Sequence, residues 1–318
     1  VAKAKIDICF LSSNHSFYQI ANNSQAISQF SQELKALGLN ATIPFVLEST
    51  EGFHLLLATL LKNDGWNVKE INPIITHQYI KHTVRGTKTD TTDAQLLAKI
   101  GLIEGDNLKS FDRDLNIIKL RMLISFLAHL ETLTQQSKAS FNALEKGLAT
   151  LRLESQELEK MKEVIKVLEQ RAKGLEREIL DIQLSPEAQE QVNYFDSIVG
   201  ISPFTAKVAY ALFAHNTFSS KRAMLAYVGL DPRLRQSGTK TALRMSKRGH
   251  PYMRKRLFQS AFCSLQHSSY FKSIYDKHIQ RKHHFIAVLA VAKKMVYIMR
   301  ALLKNNTQFD HNYYKLTS

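Results

Sequence analysis

The chain has 318 residues, 44% of them hydrophobic, and carries a formal net charge of +15. Its length allows two domains or one domain with a long insertion, and its apolar content supports real cores. Two cysteines, Cys9 and Cys263, exclude a disulfide framework and any CxxC motif, so a reducing, cytoplasmic setting is expected. Histidines such as His278, His283 and His284 lack cysteine partners, which argues against zinc. No signal peptide is visible. The late apolar run Phe285 to Ala292 is stopped by Lys293-Lys294 and is too short to span a bilayer, so no membrane partner is expected.

The positive charge is concentrated. Ser219 to Ser318 holds 20 Lys and Arg against the three acids Asp231, Asp276 and Asp310, while the remainder holds 23 basic and 25 acidic residues. A generally soluble surface does not need that asymmetry; a polyanion-binding module does.

Residues 1–112 read as α/β. Ile6, Ile8 and Phe10 alternate with polar residues, as in a half-buried strand, and a second short strand is expected around Phe17 to Ile20. A helix follows from Gln25 to Leu37, ending at Gly38, and the apolar run Ile43 to Leu47 suits a strand buried on both faces. Gly52 to Lys62 reads as a helix stopped by Asn63-Asp64-Gly65, and Asn67 to Ile71 as another strand. Two helices then flank a loop at Asp90 and Asp93. This order is compatible with a ribonuclease-H-like fold, and with other α/β folds.

Asp90 and Asp93 lie three residues apart where a polar loop becomes an apolar helix, so one helical face carries both carboxylates, close enough to share a cation. Glu48 ends the strand Ile43 to Leu47. Taken singly, each acid reads as a helix cap or a loop residue. Taken jointly, with a basic remainder, they suggest metal-assisted phosphodiester chemistry, for which Mg²⁺ is the best-suited ion.

Residues 113–189 change character. An apolar frame spaced 3-4-3 starts at Leu120, Leu123, Leu127 and Leu130 and continues past Thr134, Ser137, Leu151 and Ser155 to Ile182. A heptad seam this long predicts a coiled coil, roughly 95 Å as one helix. The unbroken frame favours a partner chain, giving a homo-oligomer; the alternative is an antiparallel hairpin bent near Thr134 to Ser137 or near Gly147. Ser185-Pro186 ends the seam.

Residues 190–318 read as a mainly helical, basic module. The turn Ile198 to Ala206 is like half of a helix-hairpin-helix, which offers backbone N–H groups to a phosphate, or is a helix start capped by Ser202 before Pro203. Further on, Arg233, Arg235, Lys240, Arg244, Lys247, Arg248, Arg254, Lys255 and Arg256 form a dense basic block, expected to bind nucleic acid. Ser237 precedes Gly238 inside it, where cations would hold a scissile phosphate beside a serine nucleophile. A plain Ser-Gly turn is the other reading. Ser246 reads as the N-cap of a turn or helix.

The blocks Val1-Ala-Lys3 to Asp7, Leu47-Glu48-Ser-Thr-Glu-Gly52, Lys88-Thr-Asp90-Thr-Thr-Asp93-Ala94 and Ser237-Gly238 to Ser246-Lys-Arg-Gly249, in this order, resemble the DEDD-type insertion-sequence transposases and pilin-gene DNA invertases. The resemblance covers almost the whole chain. It implies a Holliday-resolvase-like (ribonuclease-H-like) catalytic domain over 1–112, a coiled coil over 113–189, and a serine-containing transposase domain over 190–318. By position it carries over Glu48, Asp90 and Asp93 as catalytic acids and metal ligands, and Ser237 as the catalytic serine. The family's first acid falls ahead of Val1, and Asp7 matches a later, non-catalytic position. The resemblance further implies DNA as partner, dimers or tetramers, and in some members an element-encoded guide RNA. The function expected is a Mg²⁺-dependent DNA recombinase, either transposase or invertase. Rival readings are a junction-resolving endonuclease that needs the acids but not Ser237, and a non-catalytic DNA-bridging protein.

Overall fold

The computed structural model describes residues 1–11, 16–40, 42–49, 52–82, 89–111, 114–213, 216, 218–237, 240–246 and 248–310. The chain divides into two compact units, Val1–Asp112 and Arg113–Ser318. Among the described residues no helix is long and apolar enough to cross a membrane.

In the first unit, β1 (Lys5–Phe10) and β2 (Ser16–Ala21) pair antiparallel, with Lys5 opposite Ala21 and Phe10 opposite Ser16. Helix α1 (Ser24–Ala36) starts at Asn23, whose side chain accepts the N–H of Ala26, and it buries Ile27, Phe30, Ser31 and Leu34 on one face. Strand β3 (Pro44–Glu48), helix α2 (His54–Asn63) and strand β4 (Asn67–Ile71) form a parallel β-α-β unit. Trp66, the single tryptophan, is buried just ahead of β4 and donates its indole N–H to Ser31 Oγ at 2.8 Å. Helices α3 (Pro73–His82) and α4 (Asp90–Glu104) follow, and β5 (Lys109–Ser110) pairs antiparallel with β4.

The strands form a hairpin and a separate three-stranded sheet of order β3-β4-β5. Between β1 and β3 runs a cleft of about 520 Å³, lined by Ile6 to Leu11 on one side and Ile43 to Glu48 on the other. Helix α4 closes one wall of this cleft with Ala94, Leu97, Ala98 and Gly101. Gly101 is pressed against β3: a Cβ there would lie 2.6 Å from Val46 Cγ2. The lack of a side chain at Gly101 therefore sets how closely α4 approaches the sheet.

In the second unit the expected continuous seam is broken. Helix α5 runs Leu115–Leu151 and helix α6 runs Glu157–Asp181. Arg152 takes a left-handed conformation (φ 55°) and ends α5, and Ser155 Oγ accepts the N–H of Glu157 at the start of α6. Lys119 pairs with Glu178 and Lys138 with Glu169, so α5 and α6 fold back antiparallel on each other. Much of the apolar frame is thus buried within the chain, though Leu144 and Leu151 stay exposed, and the bend falls at Arg152 rather than at Thr134 to Ser137 or Gly147.

Beyond it come α7 (Pro186–Asp196), α8 (Pro203–Phe213), α9 (Lys221–Val228), a hairpin of β6 (Pro232–Ser237) and β7 (Lys240–Met245), α10 (Pro251–His267), α11 (Ser269–Ile279) and α12 (His284–Asn305). Ile117, Leu120, Ile124 and Leu127 of α5 share one core with Phe195, Phe213, Phe271 and Met295. The base of the α5–α6 hairpin is therefore embedded in the basic module. Helix α8 is buried from Phe204 to Phe213, including Lys207, whose ammonium donates to the carbonyls of Leu180 (2.7 Å) and Ile182 (2.6 Å) at the end of α6. Those carbonyls have no intrahelical donor, and the lysine closes the helix.

Candidate active site and nucleic-acid interface

The acids come from the two elements that border the cleft. Glu48 is the last residue of β3 and lines the cleft together with Asp7. Asp90 and Asp93 occupy the first turn of α4, which Thr89 caps through a reciprocal exchange with Thr92. Their placement there is favourable with the helix dipole. Asp90 is exposed and bonded to Lys5 Nζ at 2.7 Å, while Lys5 also reaches Asp7 at 3.5 Å. The lysine hydrogen bond, with its charge, holds the Asp90 carboxyl below the usual carboxylate range, and the same bond raises the Lys5 pKa.

Three carboxylates are the right donors for a hard divalent ion. Among the described residues, however, no group of three or more His, Cys, Asp or Glu side chains converges into a metal cage. Lys5 already neutralises Asp90, and of the three acids only Glu48 lines the cleft. The donor chemistry suits a hard divalent ion, but in this arrangement the three acids are not gathered around one, and no step is derived through a metal.

A polar cluster absent from the sequence reading lies just past Glu48. Ser49 Oγ donates to the Glu70 carboxylate, and His54 Nε2 lies 3.3 Å from it. Both His54 and Glu70 are buried. Glu70 sits on β4 directly opposite Leu47, so the cluster pins the end of β3 where Glu48 projects. The polar Ser49 and Glu70 at two strand ends were the available signal, but they lie 21 residues apart.

In the second unit the β6–β7 hairpin carries the serine. The backbone register sets Arg233 opposite Arg244, Arg235 opposite Ala242 and Ser237 opposite Lys240. Alternate positions of a strand and their cross-strand partners share a face, so Arg233, Arg235, Ser237, Lys240 and Arg244 hold positions on one face of the hairpin. The side chains of residues 233–244 and all of Lys247 lie outside the described residues.

The hairpin base is fixed from below. Ser246 N–H donates to the Asp231 carbonyl at 3.0 Å, and Ser246 Oγ donates to its carboxylate. Ser246 thus clamps the hairpin base, and its Oγ also accepts the N–H of Arg248, capping a turn rather than a helix. Gly229 (φ +76°) ends α9 and abuts Gly249: a Cβ on Gly229 would lie 2.6 Å from Gly249 N and 2.5 Å from Arg254 Nη1. His250 donates its N–H to the Tyr227 carbonyl at 2.9 Å and caps α10 with its ring nitrogen. Burial, then the charges of Arg121 and Arg254, push the His250 pKa down.

The basic block divides. Arg248 is exposed. Arg254 donates to the Val228 carbonyl at 2.9 Å and has its pKa lowered by burial. Lys255 and Arg256 both pair with Glu131 of α5 at 2.6 Å, and Arg256 lies over the rings of Phe204 and Tyr252. These three cations, expected at a nucleic-acid surface, are engaged inside the chain as ties between α10, α9 and α5. The turn at Ile198 is likewise structural: Ser202 Oγ accepts the N–H of Thr205, and Gly200 backs onto Ser260 and Ser264 of α10. It is a capped helix start and not a phosphate loop.

Comparison with known proteins fits this layout. Residues 1–173 match a DEDD transposase of the IS110 type, and residues 192–276 match the transposase IS116/IS110/IS902 family. The chain is 26% identical to the pilin gene-inverting protein of Moraxella bovis, over 98% of this chain and 96% of that protein. The pilin gene-inverting protein of Moraxella lacunata is 25% identical over the same shares. With its first 173 residues matched to that family, and an acidic unit followed by a basic serine hairpin, the chain belongs to the IS110-type DEDD transposases and is a DNA recombinase.

Proposed function

We propose that the protein cuts and rejoins DNA strands with Ser237 as nucleophile, assisted by Glu48, Asp90 and Asp93 in a ribonuclease-H-like first unit. The observation that carries the reading is the hairpin register, which groups Ser237 with Arg233, Arg235, Lys240 and Arg244 on one face. Basic residues at the strand positions that share a face with a serine can hold a phosphodiester and offset the charge of its pentacoordinate transition state. Ser237 Oγ forms a new ester bond to phosphorus, and the bond from phosphorus to one sugar oxygen breaks. The proton lost from Oγ ends on that departing oxygen. Attack by the hydroxyl of a second strand reverses the step and frees the serine.

Transposases of this type use divalent metal ions. Mg²⁺ is the ion proposed here, on the oxygen-only chemistry of the donors. A homo-oligomer, dimer or tetramer, belongs to the same proposal: Leu115, Met122, Phe126 and Leu133 of α5 remain exposed at spacings of 7, 4 and 7, a heptad row left over after α6 has packed. Such an assembly brings two DNA segments together, with or without a guide RNA, for transposition or inversion. The decisive experiment traps a covalent protein–DNA adduct on a nicked substrate and maps it by mass spectrometry. An adduct on Ser237, lost in Ser237→Ala, is expected. Strand exchange that survives Ser237→Ala refutes the nucleophile and favours a purely hydrolytic nuclease.

A further inference from the structure

A second cationic site lies away from the hairpin face, in the groove between α11 and α12. Here a pocket of about 330 Å³ is lined by Tyr270, Ser273, Lys277, His278, Lys293, Lys294 and Tyr297. The residues come at helical spacing from both helices, so the two facing surfaces are built of the same two chemistries: ammonium groups and phenol rings. Acids are scarce around it. Asp276, the one acid of α11, is taken by Lys272 at 3.2 Å, and α12 contains none. Lys294 Nζ stands 5.8 Å from the centre of the Tyr270 ring. Burial, then the nearby Lys282, push the Lys293 pKa down, while the Asp231 carboxylate opposes this.

We infer that this pocket takes one unpaired nucleotide of the bound nucleic acid, its phosphate on Lys277, Lys293 and Lys294 and its base against Tyr297 or Tyr270. The inference rests on the nucleic-acid reading of the protein and deepens it by adding a subsite at the end of the second family match, which closes at residue 276 and leaves Lys277, Lys293, Lys294 and Tyr297 beyond it. Size and lining select the ligand. The volume is at the lower end for small-molecule sites, which run from about 300 Å³ upward, so it admits one nucleotide and excludes a duplex. Lysines alone would accept any polyanion; tyrosines beside them add a stacking surface that an acidic peptide does not use and an unpaired base does. A phosphate here would also relieve the mutual repulsion of Lys293 and Lys282.

The test is fluorescence anisotropy on the full chain. The probes are a labelled single-stranded DNA of about 12 nucleotides, the matching RNA, and the DNA duplex. Lys277→Ala with Lys293→Ala is expected to weaken single-strand binding about ten-fold and to flatten the log K against log salt slope by about 0.7, the value for one phosphate contact. Tyr297→Leu is expected to weaken single-strand binding by about 5- to 100-fold, leaving the slope and the duplex affinity unchanged. A larger loss with RNA assigns the site to an RNA partner; a larger loss with DNA assigns it to a displaced substrate strand. Arg248→Ala is the control outside the pocket. If it weakens binding while the double lysine variant and Tyr297→Leu bind like wild type, the pocket inference is overturned and the nucleic-acid reading stands. If wild type binds none of the three probes, both fall.

Discussion

Gly249→Ala tests whether the serine hairpin is held by backbone packed on backbone. A Cβ at Gly249 would fall inside the van der Waals envelopes of Gly229 N, Tyr227 O and Val228 C. All three are main-chain atoms, so no rotamer change relieves the clash, and the loop from Ser246 to His250 must move away from α9. Forcing one carbon into a packed site costs about 1–3 kcal/mol. The shift also loosens the His250 N–H to Tyr227 carbonyl bond of 2.9 Å, a net loss of about 1 kcal/mol. The total, about 2–4 kcal/mol, is a large part of an ordinary domain's stability. Urea unfolding followed by far-UV ellipticity measures it, and amide exchange at Ser246 and His250 reports whether the hairpin base has opened. The matched control is Gly147→Ala in α5, where nothing lies within 4 Å of the added carbon. There the same substitution is expected to stabilise by about 0.8–1 kcal/mol through helix propensity alone. A Gly249→Ala protein with wild-type midpoint and wild-type strand exchange would refute the packing argument.

Two further outcomes are expected. Glu131 accepts from Tyr252, Lys255 and Arg256, and its loss leaves a largely buried guanidinium with only Glu176, 3.9 Å away, as counter-charge, so Glu131→Gln should cost about 2–3 kcal/mol. A double-mutant cycle with Arg256→Met checks it: a coupling near zero would show that the pair does not hold α10 to α5. His250, with its folded-state pKa lowered, stays neutral while the unfolded chain takes up a proton below its ordinary value of about 6.5. Stability should therefore fall as pH drops below that value, because protonation removes the acceptor that caps α10 through the Met253 N–H. His250→Asn keeps a cap without the titration, so the acid-side slope of its unfolding midpoint should flatten.

Most of the first unit was legible because its signals are local. The alternation at Ile6, Ile8 and Phe10, the stop at Asn63-Asp64-Gly65 and the apolar run into Glu48 each fix one element within a few residues. Of the two arrangements the seam allows, one long helix or an antiparallel hairpin, the chain takes the hairpin, and its bend is hidden for a physical reason. Two antiparallel helices that bury one face each continue the same 3-4 rhythm across their turn, since Leu148, Leu151, Ser155 and Leu158 stay in frame. No glycine or proline marks the break; Arg152 makes it without either. The basic block was legible as charge but not as surface. That Arg254 serves Val228 and that Lys255 and Arg256 serve Glu131, over 120 residues away, follows from packing that no spacing rule contains. The clustering of Ser49, His54 and Glu70 was hidden for the same reason.

Trp66 has a practical consequence. Because the chain's one indole belongs to Val1–Asp112, its emission monitors melting of that portion alone, whereas ellipticity is dominated by the long helices of Arg113–Ser318. A single sample thus contains separate optical channels for its two halves, and non-coincident traces would reveal that they denature independently.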